Sequence, residues 1–193
     1  QLIGVMLQAL QEKHIMLYFA DPRMNDAANL LGWSGAQIPS TGNDYLMVAD
    51  ANLGNKSNHS VIRDLTYDVD IQTDGSVKSR LTVSYDYSAR VADQDPAVNP
   101  EYHGPLIYDN LLQVFVPPAA QLATTNNLQS EPLRVESDKN TAFVTNVTVA
   151  YDTSERFQFL YDTPQMVENI GDYHQYRLLI QKQPGMLPEA VNV

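Results

Sequence analysis

Between Asp50 and Asn58 the chain reads Asp-Ala-Asn-Leu-Gly-Asn-Lys-Ser-Asn, the polar run that stands out most in the sequence. Oxygen-bearing side chains at this spacing suit two kinds of chemistry. One is a loop of oxygen ligands for Ca²⁺, although the run departs from the EF-hand pattern: Gly54 comes one place early and no Glu closes the loop. The other is a turn in which Asn and Asp satisfy backbone groups and Gly54 takes a positive φ. A further reading is recognition of a partner, in which Asp50, Asn52 and Lys56 fix the loop's shape or touch the ligand. Carboxylate, amide and ammonium groups all bond the hydroxyls of a saccharide. The turn needs no cofactor, and Ca²⁺ is the one candidate metal.

Other reactive residue types are dispersed. His14, His59, His103 and His174 show no ligand spacing. Ser57, His59 and Ser60 are neighbours in sequence, whereas a nucleophile and its base are normally brought together by the fold. The carboxylate pairs Asp68 with Asp70 and Asp93 with Asp95 fall on a strand's solvent face and in a loop. A working dyad needs a cleft that moves one pKa. Eleven tyrosines offer flat faces for sugar stacking. Tyr67, Tyr85, Tyr87, Tyr151 and Tyr161 keep strand parity with aliphatic residues and are assigned to a core. Tyr102 and Tyr108, near a proline-rich loop, are the two freer to serve a surface. No catalytic residue is assigned, and the residues present are read as non-enzymatic.

Composition narrows the partners. A formal net charge of −11, with twelve scattered Lys and Arg, supplies no basic stripe for nucleic acid or anionic lipid. The absence of cysteine excludes disulfides, thiol catalysis and thiolate zinc sites. The apolar run Ile15–Ala20 is too short to span a bilayer, so any anchor is expected outside these residues. A start at Gln1 without Met reads as a fragment or processed product.

The elements that must position these residues are strands. Leu65, Tyr67, Val69 and Ile71 alternate with polar residues, as do Leu81, Val83, Tyr85 and Tyr87. Period two marks strands with one face in a core and one in water. Between them a three-residue loop, Thr73-Asp74-Gly75, pairs Ile71 with Val77, Tyr67 with Leu81 and Leu65 with Val83. A two-residue loop would set apolar residues beside charges. The first register predicts a type I turn closed by a bulge with Gly75 left-handed.

Further strands are expected at Tyr45–Ala49, Ser60–Gln72, Ser76–Ser88, Ile107–Val116, Leu133–Glu136, Thr141–Tyr151, Arg156–Tyr161 and Tyr173–Lys182. Ala92–Pro105 and Pro117–Ser130 read as loops, and Asp138-Lys139-Asn140 and Asp152-Thr153-Ser154 as tight turns between adjacent strands. The class is mainly β: an antiparallel, immunoglobulin-like two-sheet sandwich over residues 44–193, with a barrel as second choice. Residues 1–35 form a helical segment. Its first helix is expected over Leu2–Phe19, with apolar residues on more than one face. Its second starts at Asp21-Pro22 and runs to about Leu31.

Five segments together resemble one family. They are Glu12-Lys-His-Ile-Met-Leu-Tyr-Phe-Ala-Asp21, Gly32-Trp-Ser-Gly35, Val48-Ala-Asp-Ala-Asn-Leu-Gly-Asn-Lys-Ser-Asn58, Leu112-Gln-Val-Phe-Val-Pro117 and Tyr176-Arg-Leu-Leu-Ile-Gln-Lys-Gln-Pro-Gly185. Their order and spacing resemble the C-terminal half of the bacterial domain-of-unknown-function 4012 family. The likeness covers most of the chain. It implies a membrane-anchored protein facing outward at the cell surface, with a cell-wall polysaccharide or an envelope protein as partner. The family's upstream portion is similar to the LytR-CpsA-Psr cell-wall glycopolymer transferases. That likeness implies that the helix at Leu2–Phe19 is the tail of an upstream domain covering its surplus apolar faces. The family pattern around Asn52 and Lys56 usually carries two glycines; here Asn55 follows Gly54 directly.

Overall fold

The computed structural model describes residues 2–40, 42–54, 57–88, 106–186 and 190–193. Two short helices, α1 (Leu2–Gln11) and α2 (Pro22–Leu30), precede twelve strands among the described residues. The strands are β1 (Asp44–Asn52), β2 (Ile62–Ile71), β3 (Val77–Asp86), β4 (Ile107–Val116), β5 (Gln121–Asn126) and β6 (Leu133–Glu136). They continue with β7 (Thr141–Ala150), β8 (Ser154–Thr163), β9 (Val167–Ile170), β10 (Tyr173–Tyr176), β11 (Leu178–Ile180) and β12 (Ala190–Asn192). One sheet has the order β11-β1-β4-β7-β6 and the other β12-β2-β3-β8-β5, while β9 and β10 form a separate ribbon.

The two large sheets pack as a sandwich, with one core between them. Alternation explains which residues enter it. On the second sheet Leu65 lies opposite Val83, which lies opposite Phe157; Tyr67, Leu81 and Phe159 form the next row. All six are buried. The first sheet answers with Leu46, Val48, Leu112, Val114, Phe143 and Val147. Pairing is antiparallel except at two edges, where β11 runs parallel to β1 and β12 parallel to β2. These short additions cover backbone groups that β1 and β2 would otherwise present as open edges.

The β2–β3 hairpin has the expected register, with Ile71 opposite Val77, Tyr67 opposite Leu81 and Leu65 opposite Val83. Gly75 N–H donates to the Gln72 carbonyl at 3.0 Å, Gln72 N–H donates to the Ser76 carbonyl at 2.9 Å, and Gly75 has φ +81°. A β-carbon on Gly75 would meet Val167 only at ordinary contact distance, so space is not the constraint there. Gly75→Val is therefore expected to cost about 1–3 kcal/mol through backbone strain alone, read as a shift in the urea midpoint. An unshifted midpoint would contradict the turn geometry.

Several expectations are corrected. The first helix stops at Gln11, not Phe19. Lys13 takes φ +59°, the N–H groups of His14 and Ile15 turn back to the Ala9 carbonyl, and Leu17 N–H then bonds the Trp33 carbonyl at 2.9 Å. This left-handed residue closes the helix, and the following run Ile15–Phe19, containing a β-branched and two aromatic residues, leaves the helical path. The second helix agrees with its signals: Asp21 caps it by accepting from Arg23 and Met24 N–H, with Pro22 at the first position.

The stretch Pro117–Ser130 is no simple loop, because it contains β5, an edge strand with a register shift between Leu122 and Thr124. The bulge broke the alternation that would have marked it. Tyr173–Lys182 divides into β10 and β11 because its first part pairs with β9 and its second with β1. Asp138–Asn140 does join hairpin neighbours β6 and β7. Asp152–Ser154 instead carries the chain from one sheet to the other, with Asp152 at φ +61°. The Ala92–Pro105 loop lies outside the described residues.

Candidate functional site

Period two on β1 sends Asp44, Leu46, Val48 and Asp50 to the core, and Tyr45, Met47 and Ala49 to the other face. Seven consecutive residues, Asp44–Asp50, are nonetheless buried. The outer face is covered by the chain's own segment before β1. Gln181 accepts from Ile38 N–H (2.9 Å) and Tyr45 Oη (2.8 Å) and donates to the Ala36 carbonyl (3.1 Å). Burial pushes the Tyr45 phenol up to about 12.

The first of the expected ligand-contacting residues, Asp50, is thus inside the sandwich. Its side chain is 1 % exposed and pairs at 2.9 Å with Arg63, whose side chain is 2 % exposed. Tyr85 Oη donates to Asp50 Oδ1 at 2.7 Å, Asn110 Nδ2 donates to the same oxygen at 2.7 Å, and Tyr108 Oη donates to Oδ2 at 3.2 Å. Arg63 also reaches the Val48 carbonyl at 3.2 Å. Gln183 bonds both the N–H and the carbonyl of Asp50, each at 2.9 Å. Asp50 therefore ties strands together inside the sandwich. The cluster joins β1 and β4 of one sheet to β2 and β3 of the other. Tyr108, assigned above to a surface, is a correction: it is buried because Asp50 supplies an acceptor for its hydroxyl.

Asn52 ties together the described ends of this segment. Its amide donates to Asn58 Oδ1 at 2.5 Å and Ser57 Oγ at 3.4 Å, and its Oδ1 accepts from Gly54 N–H at 3.0 Å. That last bond is an Asx-type turn. It leaves Gly54 without the positive φ expected of it, since the left-handed glycines are others. Lys56 lies outside the described residues, as does Tyr102. Among the described residues no group of three His, Asp or Glu is placed to hold a metal ion. His14 and His174 are exposed, bonded to Glu12 and to Asn169 respectively.

A second polar cluster lies at the other end of β1. Asp44 accepts from Tyr67 Oη at 2.8 Å, from Tyr176 Oη and from Tyr45 N–H at 2.7 Å. Tyr67 Oη in turn exchanges a hydrogen bond with Ser79 at 2.8 Å and accepts one from Tyr161 at 3.1 Å. Desolvation raises the Asp44 pKa, partly offset by the hydrogen bonds from Tyr176, Tyr67 and the Tyr45 backbone. Neither cluster is open to a substrate; both hold the sheets in register.

Sequence reasoning missed Arg63 and Asn110 as partners of Asp50. The signal was present: Arg63 shares strand parity with Leu65 and Tyr67, and Asn110 with Leu112 and Val114. A charge on an apolar face requires a counter-charge.

Comparison with known proteins finds no matching family model, no matching curated protein and no matching solved structure. Among the described residues, no helix is long and apolar enough to cross a membrane.

Proposed function

We propose that this chain is a non-catalytic, immunoglobulin-like β-sandwich module of a bacterial envelope protein, binding or positioning a cell-wall glycan or an envelope protein. It would face outward, held at the membrane by an anchor outside these residues. One observation carries the reading: among the described residues, the convergent polar side chains around Asp44 and Asp50 join the two sheets, which suits a scaffold. Beside the Asp50 cluster, Asn52 bonds Ser57 and Asn58, so the two described ends of this segment are tied together. The resemblance to the domain-of-unknown-function 4012 family supports the location, and a net charge of −11 argues against nucleic acid as partner.

The test is capture of the folded protein on purified cell walls, with and without Ca²⁺, for the parent and for Asn52→Ala and Lys56→Ala. Saturable capture that Lys56→Ala abolishes at unchanged melting temperature supports contact by the loop. Calcium-dependent capture would restore the metal reading of Asp50–Asn58. Absence of capture from a folded protein overturns glycan binding.

A second reading, an accessory part of a cell-wall glycopolymer transferase with its active site upstream, is favoured by α1. Leu2 and Ile3 are each 75 % exposed there, and Val5 and Met6 are exposed beside them. An upstream domain packed on that face would remove this apolar surface from water. Lipid-linked phosphosugar consumption by a longer chain, with none by this one, would select the second reading.

A further inference from the structure

We propose that the groove between the β2–β3 turn and the β9–β10 ribbon is a binding site for a neutral, hydroxyl-rich saccharide chain. The proposal rests on the glycan-module reading and places the contact at the Asp44 end of β1, opposite the Asn52–Asn58 loop. Two hollows, of about 590 and 440 Å³, adjoin at Asp74, Val167 and Asn169, which line both. Glu168 and Arg177 line one hollow, and Gln72 and His174 the other.

The groove's walls are fixed. Gly75 O accepts from the N–H groups of Met166 (2.9 Å) and Val167 (3.3 Å), tying the turn to the ribbon. Tyr176 Oη reaches the buried Asp44, and Arg177 O accepts from Asp44 N–H at 2.8 Å. The ribbon is therefore attached to the core at its inner end, and the groove needs little ordering when it binds.

Its chemistry selects the ligand class. Carboxylate, amide, imidazole and guanidinium groups offer donors and acceptors side by side, which is what a hydroxyl, itself donor and acceptor, requires. Glu168 and Arg177 neutralise each other, and the carboxylate of Asp74, left over from that pair, repels a phosphate or sulfate. The pairing of Glu168 with Arg177 and of His174 with Asn169 holds these planar groups in place for a ligand.

The experiment is an amide NMR titration of the whole chain with chitohexaose and, separately, maltohexaose. The expected result is saturable perturbation centred on Gln72, Gly75, Asn169 and His174. The double variant Asn169→Ala/His174→Ala alters exposed positions, so its melting temperature is expected to stay while binding weakens at least about tenfold. Perturbation confined to Gly54 and Asn58, silence with both probes at about 10 mM, or parent-like binding by the variant overturns the groove. Capture on whole walls without groove perturbation would overturn this site and leave the module reading standing; groove binding without wall capture would do the reverse.

Discussion

Arg63→Ala is expected to lower the unfolding free energy by about 3–5 kcal/mol, enough to remove a large part of a typical domain's stability. The loss comes from what remains, an Asp50 carboxylate buried between two sheets with the Arg63 guanidinium it pairs with gone. Tyr85, Tyr108 and Asn110 still donate to it, but hydrogen bonds from neutral groups do not cancel the charge. Removing both charges tests this cause. Asp50→Asn with Arg63→Met keeps an acceptor for the hydroxyls and fills the guanidinium's volume, and it is expected to recover most of the loss. Urea unfolding followed by tyrosine near-ultraviolet circular dichroism measures both. If Arg63→Ala costs less than about 1 kcal/mol, the pair behaves like a solvent-screened surface bridge and the core assignment fails.

Tyr67→Phe is expected to cost about 1.5–3 kcal/mol at neutral pH, because its hydroxyl serves Asp44, Ser79 and Tyr161 at once. The cost should shrink on acidification. Asp44 has a folded pKa raised above its ordinary 3.8, chiefly by desolvation, so the folded state keeps a proton where the unfolded chain has lost it. Stability from this group is then fully present below pH 3.8 and is lost as pH rises through the raised folded value. A protonated Asp44 needs the Tyr67 donor less. Asp44→Asn cannot ionise, so the stability of the parent relative to this variant should fall with rising pH over the same window. The difference between variant and parent cancels the remaining carboxylates, which both proteins share. A difference independent of pH would show that Asp44 titrates alike in folded and unfolded chains.

Local pattern and tertiary structure divided the work along physical lines. Alternation is a property of the strand itself, so β2, β3, β4 and β7 could be placed from residues alone, and hairpin register followed because a slip would reverse every side chain on β2. The caps of α2 were equally local, since Asp21 bonds N–H groups two and three residues away. Short strands carry too few residues to show a period: β11 and β12 exist because the distant strands β1 and β2 hold them, and β9 because the adjacent β10 does. The polar run at Asp50–Asn58 was visible as chemistry, but its meaning was not. Whether Asp50 met solvent or Arg63 depended on which face of β1 lay against β2, a choice made only when two sheets pack. Composition and periodicity determined a β-sandwich with an acidic surface. Tertiary structure alone decided that Asp44 and Asp50 join the sheets, because burial converts a carboxylate from a surface ligand into a group that must find its donors inside.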